Sequence, residues 1–298
     1  MRGSWGMTES GMWRLVRGAP SPRLGEGVSD YRGFHLALDR PQRRIEFPSG
    51  MITMVINFGD RIRIGPVATE ETSGSGSGPR PEPYRSLVNG PRSDATMGEH
   101  DGRLEGVEVH LAPWMAYTVL RVDMHELRGR MVPLADLLGP EGDEWEGRLA
   151  QAVSWADRFA LLDRMLLRRC ARGRAAAPQV VWTWNRLVRS EGAVPVGPLA
   201  TAAGWSARHL ELRFREQIGM SPKTVARVLR MQRALRMLTA GTAPARTAAA
   251  CGFYDQAHLH RDFKVMTGVT PGTFLLHRGG AGRPVDRMPG KVTSTLLR

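Results

Sequence analysis

Two stretches of the chain carry side chains whose types and spacing suit one chemistry, the reading of base-pair edges. Leu210 and Phe214 lie four residues apart, as do Leu259 and Phe263, so each pair shares one helix face and turns inward. The opposite face then displays Arg208, Glu211, Leu212 and Arg215 in the first stretch. In the second it displays Gln256, Ala257, His260, Arg261 and Lys264. Arginine suits guanine, glutamine suits adenine, glutamate accepts from the cytosine amino group, and Leu or Ala meets a thymine methyl. Ser206, a natural N-cap ahead of the first helix, and His209 complete the candidate contact set. His209 and His258 each precede an inward leucine, which suits phosphate contact, helix packing and capping alike.

Other reactive side chains give weaker patterns. His258 and His260 are two apart on a helix, about 200° around its axis, and cannot chelate from one face. His35, His100 and His110, with Glu46, Glu99 or Glu108, offer the donor types of a cupin-type metal cluster, but no His-x-His pair joins them, and they read as isolated histidines. Two cysteines exclude a disulfide scaffold and a four-cysteine zinc site, and fit a reducing compartment. Cys251 reads as a small packing residue; Cys170 lies beside Arg168, Arg169 and Arg172, which would lower an exposed thiol's pKa. No Ser/His/Asp set is marked by spacing. The reading therefore assigns no catalytic residue, no metal and no cofactor.

Charge places these residues in context. Lys+Arg number 42 and Asp+Glu 29, a formal net charge of +13. Residues 1–173 hold 23 basic and 23 acidic residues; residues 174–298 hold 19 and 6, so the whole surplus lies in the second part. Such asymmetry points to nucleic acid or a membrane surface. No apolar run nears the roughly 20 residues of a membrane helix, and no signal-peptide core follows Met1, so the expected location is cytoplasmic, with no membrane partner.

The elements that must hold the candidate residues change in kind along the chain. Residues 1–29, rich in Gly, Pro and Arg, read as a flexible arm. Residues 30–173 begin with strand signals at Gly33–Ala37, Arg43–Phe47, Ile52–Phe58, Arg61–Ile64, Tyr84–Val88, Gly106–Leu111 and Ala116–Val122. Phe58–Arg61 reads as a hairpin turn, and Thr69–Pro83, with its Ser-Gly run, as a flexible loop. Helical stripes follow through Leu134, Leu137 and Leu138, then Trp145 and Leu149, then Phe159, Leu162, Met165, Leu166 and Arg169. Residues 173–178 read as an interdomain connection, 178–278 as a helical domain, and 279–298 as a disordered basic tail.

The helical domain contains an internal repeat. Ala203-Gly204-Trp205-Ser206, His209-Leu210, Phe214 and Gly219-Met220-Ser221-Pro222 return as Cys251-Gly252-Phe253-Tyr254, His258-Leu259, Phe263 and Gly268-Val269-Thr270-Pro271. The offset is 48 at the first glycine and 49 from the histidine on, so the second turn has one extra residue. Each copy has a helix-turn-helix outline, and one helix over about 222–239 joins them, with Val228, Leu229, Ala234, Leu235 and Leu238 inward and Arg227, Arg230, Arg233 and Arg236 on its other faces.

This arrangement resembles the AraC/XylS family of bacterial transcription regulators over about 178–277. The resemblance rests on the two modules and on Arg230-Met231-Gln232-Arg233-Ala234 in the connecting helix. It implies two helix-turn-helix units on one DNA face, with base-reading positions at Arg208, Glu211, Leu212, Gln256, Ala257, His260 and Arg261. It also implies an N-terminal cupin-like effector domain with helices used for dimerisation. The expected fold is α+β: a β-rich, cupin-like domain with trailing helices, then an all-α domain of two helix-turn-helix units joined by a long helix. The expected function is sequence-specific transcription regulation at two adjacent major grooves, not enzymatic. The expected partners are double-stranded promoter DNA, RNA polymerase, a small-molecule effector and a second copy of the chain. The rival readings are a metal-dependent cupin-type enzyme with an appended DNA-binding domain, and a non-specific architectural nucleic-acid binder.

Overall fold

Alternation in residues 28–38 and 103–111 sorts their side chains onto two faces, and those faces organise the N-terminal half. On one face Tyr31 stacks on Phe159 at 5.6 Å, and Gly33 lies so close beneath Trp155 that a Cβ would sit 2.3 Å from its ring. On the other face Arg32, Phe34, Leu36, Leu104 and Glu108 look into a cavity. The computed structural model describes residues 2–8, 11–67, 81–279 and 294–297.

The strands are β1 (Arg2–Thr8), β2 (Gly11–Gly18), β3 (Val28–Leu38), β4 (Gln42–Glu46), β5 (Ile52–Asn57), β6 (Ile62–Pro66), β7 (Glu82–Tyr84), β8 (Leu87–Asn89), β9 (Thr96–His100), β10 (Arg103–Leu111), β11 (Met131–Pro133) and β12 (Ser294–Leu297). They form two antiparallel sheets, in the orders β1-β2-β3-β10-β5-β8-β11 and β12-β4-β9-β6-β7. The helices are α1 (Pro113–Leu120), α2 (Leu134–Leu138), α3 (Pro140–Gln151) and α4 (Trp155–Arg172), then α5 (Pro178–Arg189), α6 (Gly197–Ala202), α7 (Ala207–Ile218), α8 (Pro222–Thr239), α9 (Pro244–Ala250), α10 (Gln256–Thr267) and α11 (Pro271–Gly279). The architecture is α+β, β-rich and then helical, as the sequence implies.

Several local expectations are corrected. Residues 11–18, expected within a flexible arm, form β2 with Trp13 and Val16 buried; the strand pairs Leu15 with Phe34 and so joins a sheet that local composition does not reveal. Ala116–Val122, expected as a strand, lies largely in helix α1. That helix is buried at Pro113, Met115, Ala116, Tyr117, Val119 and Leu120, so burial nearly all round erases the amphipathic stripe. Phe58–Arg61 is no hairpin: β5 pairs with β10 and β8 while β6 belongs to the other sheet. The bend is held by Asn57, whose Nδ2 donates to the Asp60 carbonyl at 2.6 Å and whose Oδ1 accepts from the Gly59 N–H at 3.2 Å. The single strand expected at Tyr84–Val88 divides into β7 and β8, one in each sheet, and β9 was not anticipated because its Thr-Met-Gly-Glu-His sequence lacks an apolar alternation. Residues 69–80 of the expected loop, and most of the expected tail, lie outside the described residues; Ser294–Leu297 is a strand paired with β4.

The C-terminal half follows the sequence closely. Ser206 and Asp255 cap α7 and α10, accepting from the His209 N–H at 3.2 Å and the His258 N–H at 2.6 Å. Gly219 and Gly268 end the two helices in the left-handed region, φ 83° and 76°, where a residue with a Cβ is strained. Val180, Trp184, Leu210, Phe214 and Val225 pack one unit. A second cluster packs Val228, Met231, Leu235, Leu259, Phe263 and Phe274 together with Ile45, Phe47, Ala95 and Met97 from the β-rich half. The two halves of the chain therefore share a core. Gln232 Nε2 also donates to the Pro48 carbonyl at 2.8 Å, and Tyr117 Oη to Glu216 at 3.0 Å.

Phe214 and Phe263 are fully buried in separate clusters. Phe214→Ala and Phe263→Ala are each expected to lower stability by about 3–5 kcal/mol in urea unfolding; losses below about 1 kcal/mol in both would contradict this packing.

Candidate nucleic-acid interface

Burying Leu210 and Phe214 on one side of α7, and Leu259 and Phe263 on one side of α10, leaves the other side of each helix to solvent. Ser206, Arg208, His209, Glu211, Leu212 and Arg215 are exposed, as are Gln256, Ala257, Arg261 and Lys264. Leu212 is an apolar side chain 64 % exposed. Arg208 and Arg261 have no hydrogen-bond or ion-pair partner among the described residues, so both guanidinium groups stand ready for an external acceptor.

Other members of the set already have work. Ser206 spends its hydroxyl on the cap. The His209 ring meets Trp205 edge-on at 4.6 Å, and His258 meets Phe253 the same way at 5.5 Å, so each repeat packs its histidine on its turn aromatic. Glu211 and Arg215 pair with each other at 2.7 Å; as an exposed pair this is worth little, and it opens at small cost. His260 is half-buried and its Nε2 is enclosed without a hydrogen-bond partner among the described residues, which sets it apart from its outward neighbours. Tyr254 was not anticipated. It belongs to the longer second turn and is 93 % exposed at the edge of α10; the extra residue of the second repeat was the available signal.

The connector α8 presents less free charge than its sequence implies. Arg227 forks onto Asp262 at 2.9 and 3.0 Å, Arg230 donates to the Gly192 carbonyl at 3.1 Å, and Arg233 and Arg236 both pair with Glu191. Burial pushes the Cys251 thiol up, and likewise Cys170, which is half-buried with its Sγ 3.6 Å from Met115 Sδ. The arginines beside Cys170 therefore do not activate it.

A separate cavity of about 230 Å³ lies between the two sheets. Phe34, Leu36, Ile62, Ile64 and Leu104 supply apolar wall, Arg32, Arg44, Glu46 and Glu108 bring charge of both signs, and His100 adds an imidazole. Its histidine does not join the other two in a donor cluster. His35 lies 3.4 Å from Glu105, His110 lies 2.8 Å from Asp30, and His100 Nδ1 accepts from the Gly102 N–H. No three His, Cys, Asp or Glu among the described residues could hold a metal together. No helix among the described residues is long and apolar enough to cross a membrane.

Comparison with known proteins bears on the helical part. Residues 199–277 match the family described as "Helix-turn-helix domain". An uncharacterised HTH-type transcriptional regulator, YbfI of Bacillus subtilis (strain 168), is 33 % identical over 66 residues, which are 22 % of this chain and 24 % of that protein. The chain thus spans about a quarter of the length of the curated relative it matches. Among solved structures, ToxT from Vibrio cholerae aligns over 84 % of this chain and 98 % of its own, at 9 % identity and a TM-score of 0.44. The C-terminal domain of AraT, a response regulator from Geobacillus stearothermophilus, aligns over 39 % of this chain and 98 % of its own, at 18 % identity and a TM-score of 0.34.

His100 gives the cavity a pH signature. Burial, and next the Arg44 charge, lower its pKa to about 4. An unfolded histidine titrates near 6.5, so between about pH 6.5 and 4 the unfolded chain binds a proton that the folded chain refuses, and stability falls as pH falls. His100→Gln is expected to flatten this part of the stability profile in urea unfolding; wild-type and variant profiles that stay parallel through the window would refute it.

Proposed function

On the premise that the C-terminal half is a helix-turn-helix domain of the AraC/XylS type, we propose that this protein is a sequence-specific DNA-binding transcriptional regulator. The observation that carries the reading is the pair of capped helices α7 and α10, each anchored by a buried Leu-Phe pair and each presenting unpartnered arginine outward. In this reading α7 and α10 enter adjacent major grooves of promoter DNA, whose centres on one face are about 34 Å apart. Arg208, Glu211 and Leu212 read one half-site; Gln256, Ala257 and Arg261 read the other. Arg215 and Lys264 add phosphate contacts, which supply affinity of any sequence and a dependence on salt.

The cavity between the sheets supports control by a small molecule. An apolar wall beside charges of both signs suits an amphipathic compound with a polar head. Gly98 lines this cavity, and a Cβ there would meet only the Arg44 carbonyl at 3.8 Å and Ile62 at 4.0 Å. A Cβ at that position is thus accommodated without strain, and a larger side chain there would occupy part of the cavity Gly98 lines. Gly98→Leu is expected to abolish the thermal shift produced by any amphipathic compound that stabilises the wild type in a screen. A compound whose shift survives the substitution binds elsewhere.

The DNA reading is tested by selecting bound duplexes from random-sequence DNA and footprinting the result. One site spanning about two adjacent major grooves is expected. Arg208→Ala and Arg261→Ala should each weaken binding to that site about 5- to 150-fold, the cost of a bidentate base contact, without lowering the melting temperature. Equal affinity for selected and scrambled duplexes at one stated salt concentration would instead establish a non-specific binder.

A further inference from the structure

We infer that Asp262, Arg227, Arg230 and Glu191 are positioning residues that set the two reading helices at one fixed separation and rotation; this rests on the DNA-reading function proposed above. The connector α8 is a single helix shared by two cores. Val225 and Ala226, near its start, pack with the first unit, and Ala234, Leu235 and Leu238, near its end, pack with the second. Apolar burial is itself non-directional, so directional polar contacts add to the packed cores a defined rotation of each unit about the helix axis.

The ion pairs run across this division. Arg227 stands where α8 passes from the first core, at Ala226, to the second, at Val228, and its guanidinium forks onto Asp262 of α10, the second reading helix, with Nε–Oδ2 3.0 Å and Nη2–Oδ1 2.9 Å. Glu191 stands in the turn after α5, in the first unit, yet it pairs with Arg233 at 3.2 Å and with Arg236, both in the stretch of α8 sunk in the second core. Arg230 lies between them. Its Nη1 donates to Gly192 of the first unit, and a Cβ built on Gly252, in the second unit's turn, would lie 3.8 Å from its Cδ. One strap thus ties the first unit's turn to the far part of α8, another ties α10 to the middle of α8, and Arg230 ties the same turn to α8 between them.

Geometry is what such pairs add. A bidentate arginine-carboxylate fork defines an orientation, which a single point charge does not. Asp262 is well shielded, its side chain 18 % exposed, and it lies between the unpartnered Arg261 and the fully buried Phe263. Holding Asp262 therefore holds the rotation of α10 about its own axis, and with it the direction of Arg261. Four arginines three residues apart on one helix would otherwise repel one another; their partners turn that repulsion into a frame.

The test uses the full chain and the duplex it selects from random-sequence DNA, together with duplexes in which one base pair is inserted or deleted between the half-sites. Wild type should lose about tenfold or more on either altered spacing, comparable with a mismatched base pair. Asp262→Asn and Arg227→Gln should bind the native spacing about 5- to 20-fold more weakly, yet lose little further on the altered spacings. Their melting temperatures should stay within a few degrees of wild type. Asp262→Glu should restore the spacing preference in part. If Asp262→Asn does not fold, the swap R227D/D262R carries the same measurement, with the preference retained. An unchanged spacing profile in folded Asp262→Asn and Arg227→Gln overturns the inference and leaves the DNA reading intact. Failure of wild type to enrich any sequence overturns both.

Discussion

The constraint on which the C-terminal half depends is that one helix must be buried by two different neighbours. Along α8, Val225 and Ala226 belong to one core, while Val228, Met231, Ala234, Leu235 and Leu238 belong to the next. A helix of 18 residues is about 27 Å long, enough to carry two helix-turn-helix units side by side with no flexible link. Because the second of these cores also takes Ile45, Phe47, Ala95 and Met97, the same constraint reaches into the β-rich half. Neither unit can shift on the connector without disturbing packing elsewhere.

Charge is distributed around that frame in two ways. The arginines of α8 each have an internal acceptor, a carboxylate or a carbonyl, so they serve the architecture. Arg208 and Arg261, on the outward faces of α7 and α10, have none among the described residues. The net surplus of +13 is a property of the whole chain, but the part of it available to an anionic ligand is smaller, because many arginines are held by internal acceptors. Net charge governs attraction; only unpartnered, directed groups discriminate.

The candidate interface was largely legible because its signals are local. Capping by Ser206 and Asp255, the glycine stops at 219 and 268, and the i,i+4 pairs each act within about one helical turn. The β-rich half was legible only in part. Its strands near residues 33, 43, 52, 62 and 106 were anticipated from alternation, but α1 was not, because a helix buried on all sides shows no stripe. Strand β2 was missed because its glycines, which read as breakers, serve close packing: a Cβ on Gly18 would meet the Phe159 ring at 2.3 Å. The partners of β5 and β6 are equally invisible locally, since each pairs with strands tens of residues away.

By itself, then, the sequence determined the helical domain's elements, its repeat and the outward set that includes Arg208, Leu212, Gln256 and Arg261, because helix periodicity and caps are encoded within a few residues. Only the tertiary structure decided that His260 turns partly inward, that Arg227 is committed to Asp262, that two sheets enclose a cavity, and that the β-rich half shares a core with the second helix-turn-helix unit. Those outcomes depend on which distant surfaces meet. Contact between distant surfaces is settled by the global competition for apolar burial and hydrogen-bond satisfaction, and no short window of residues contains it.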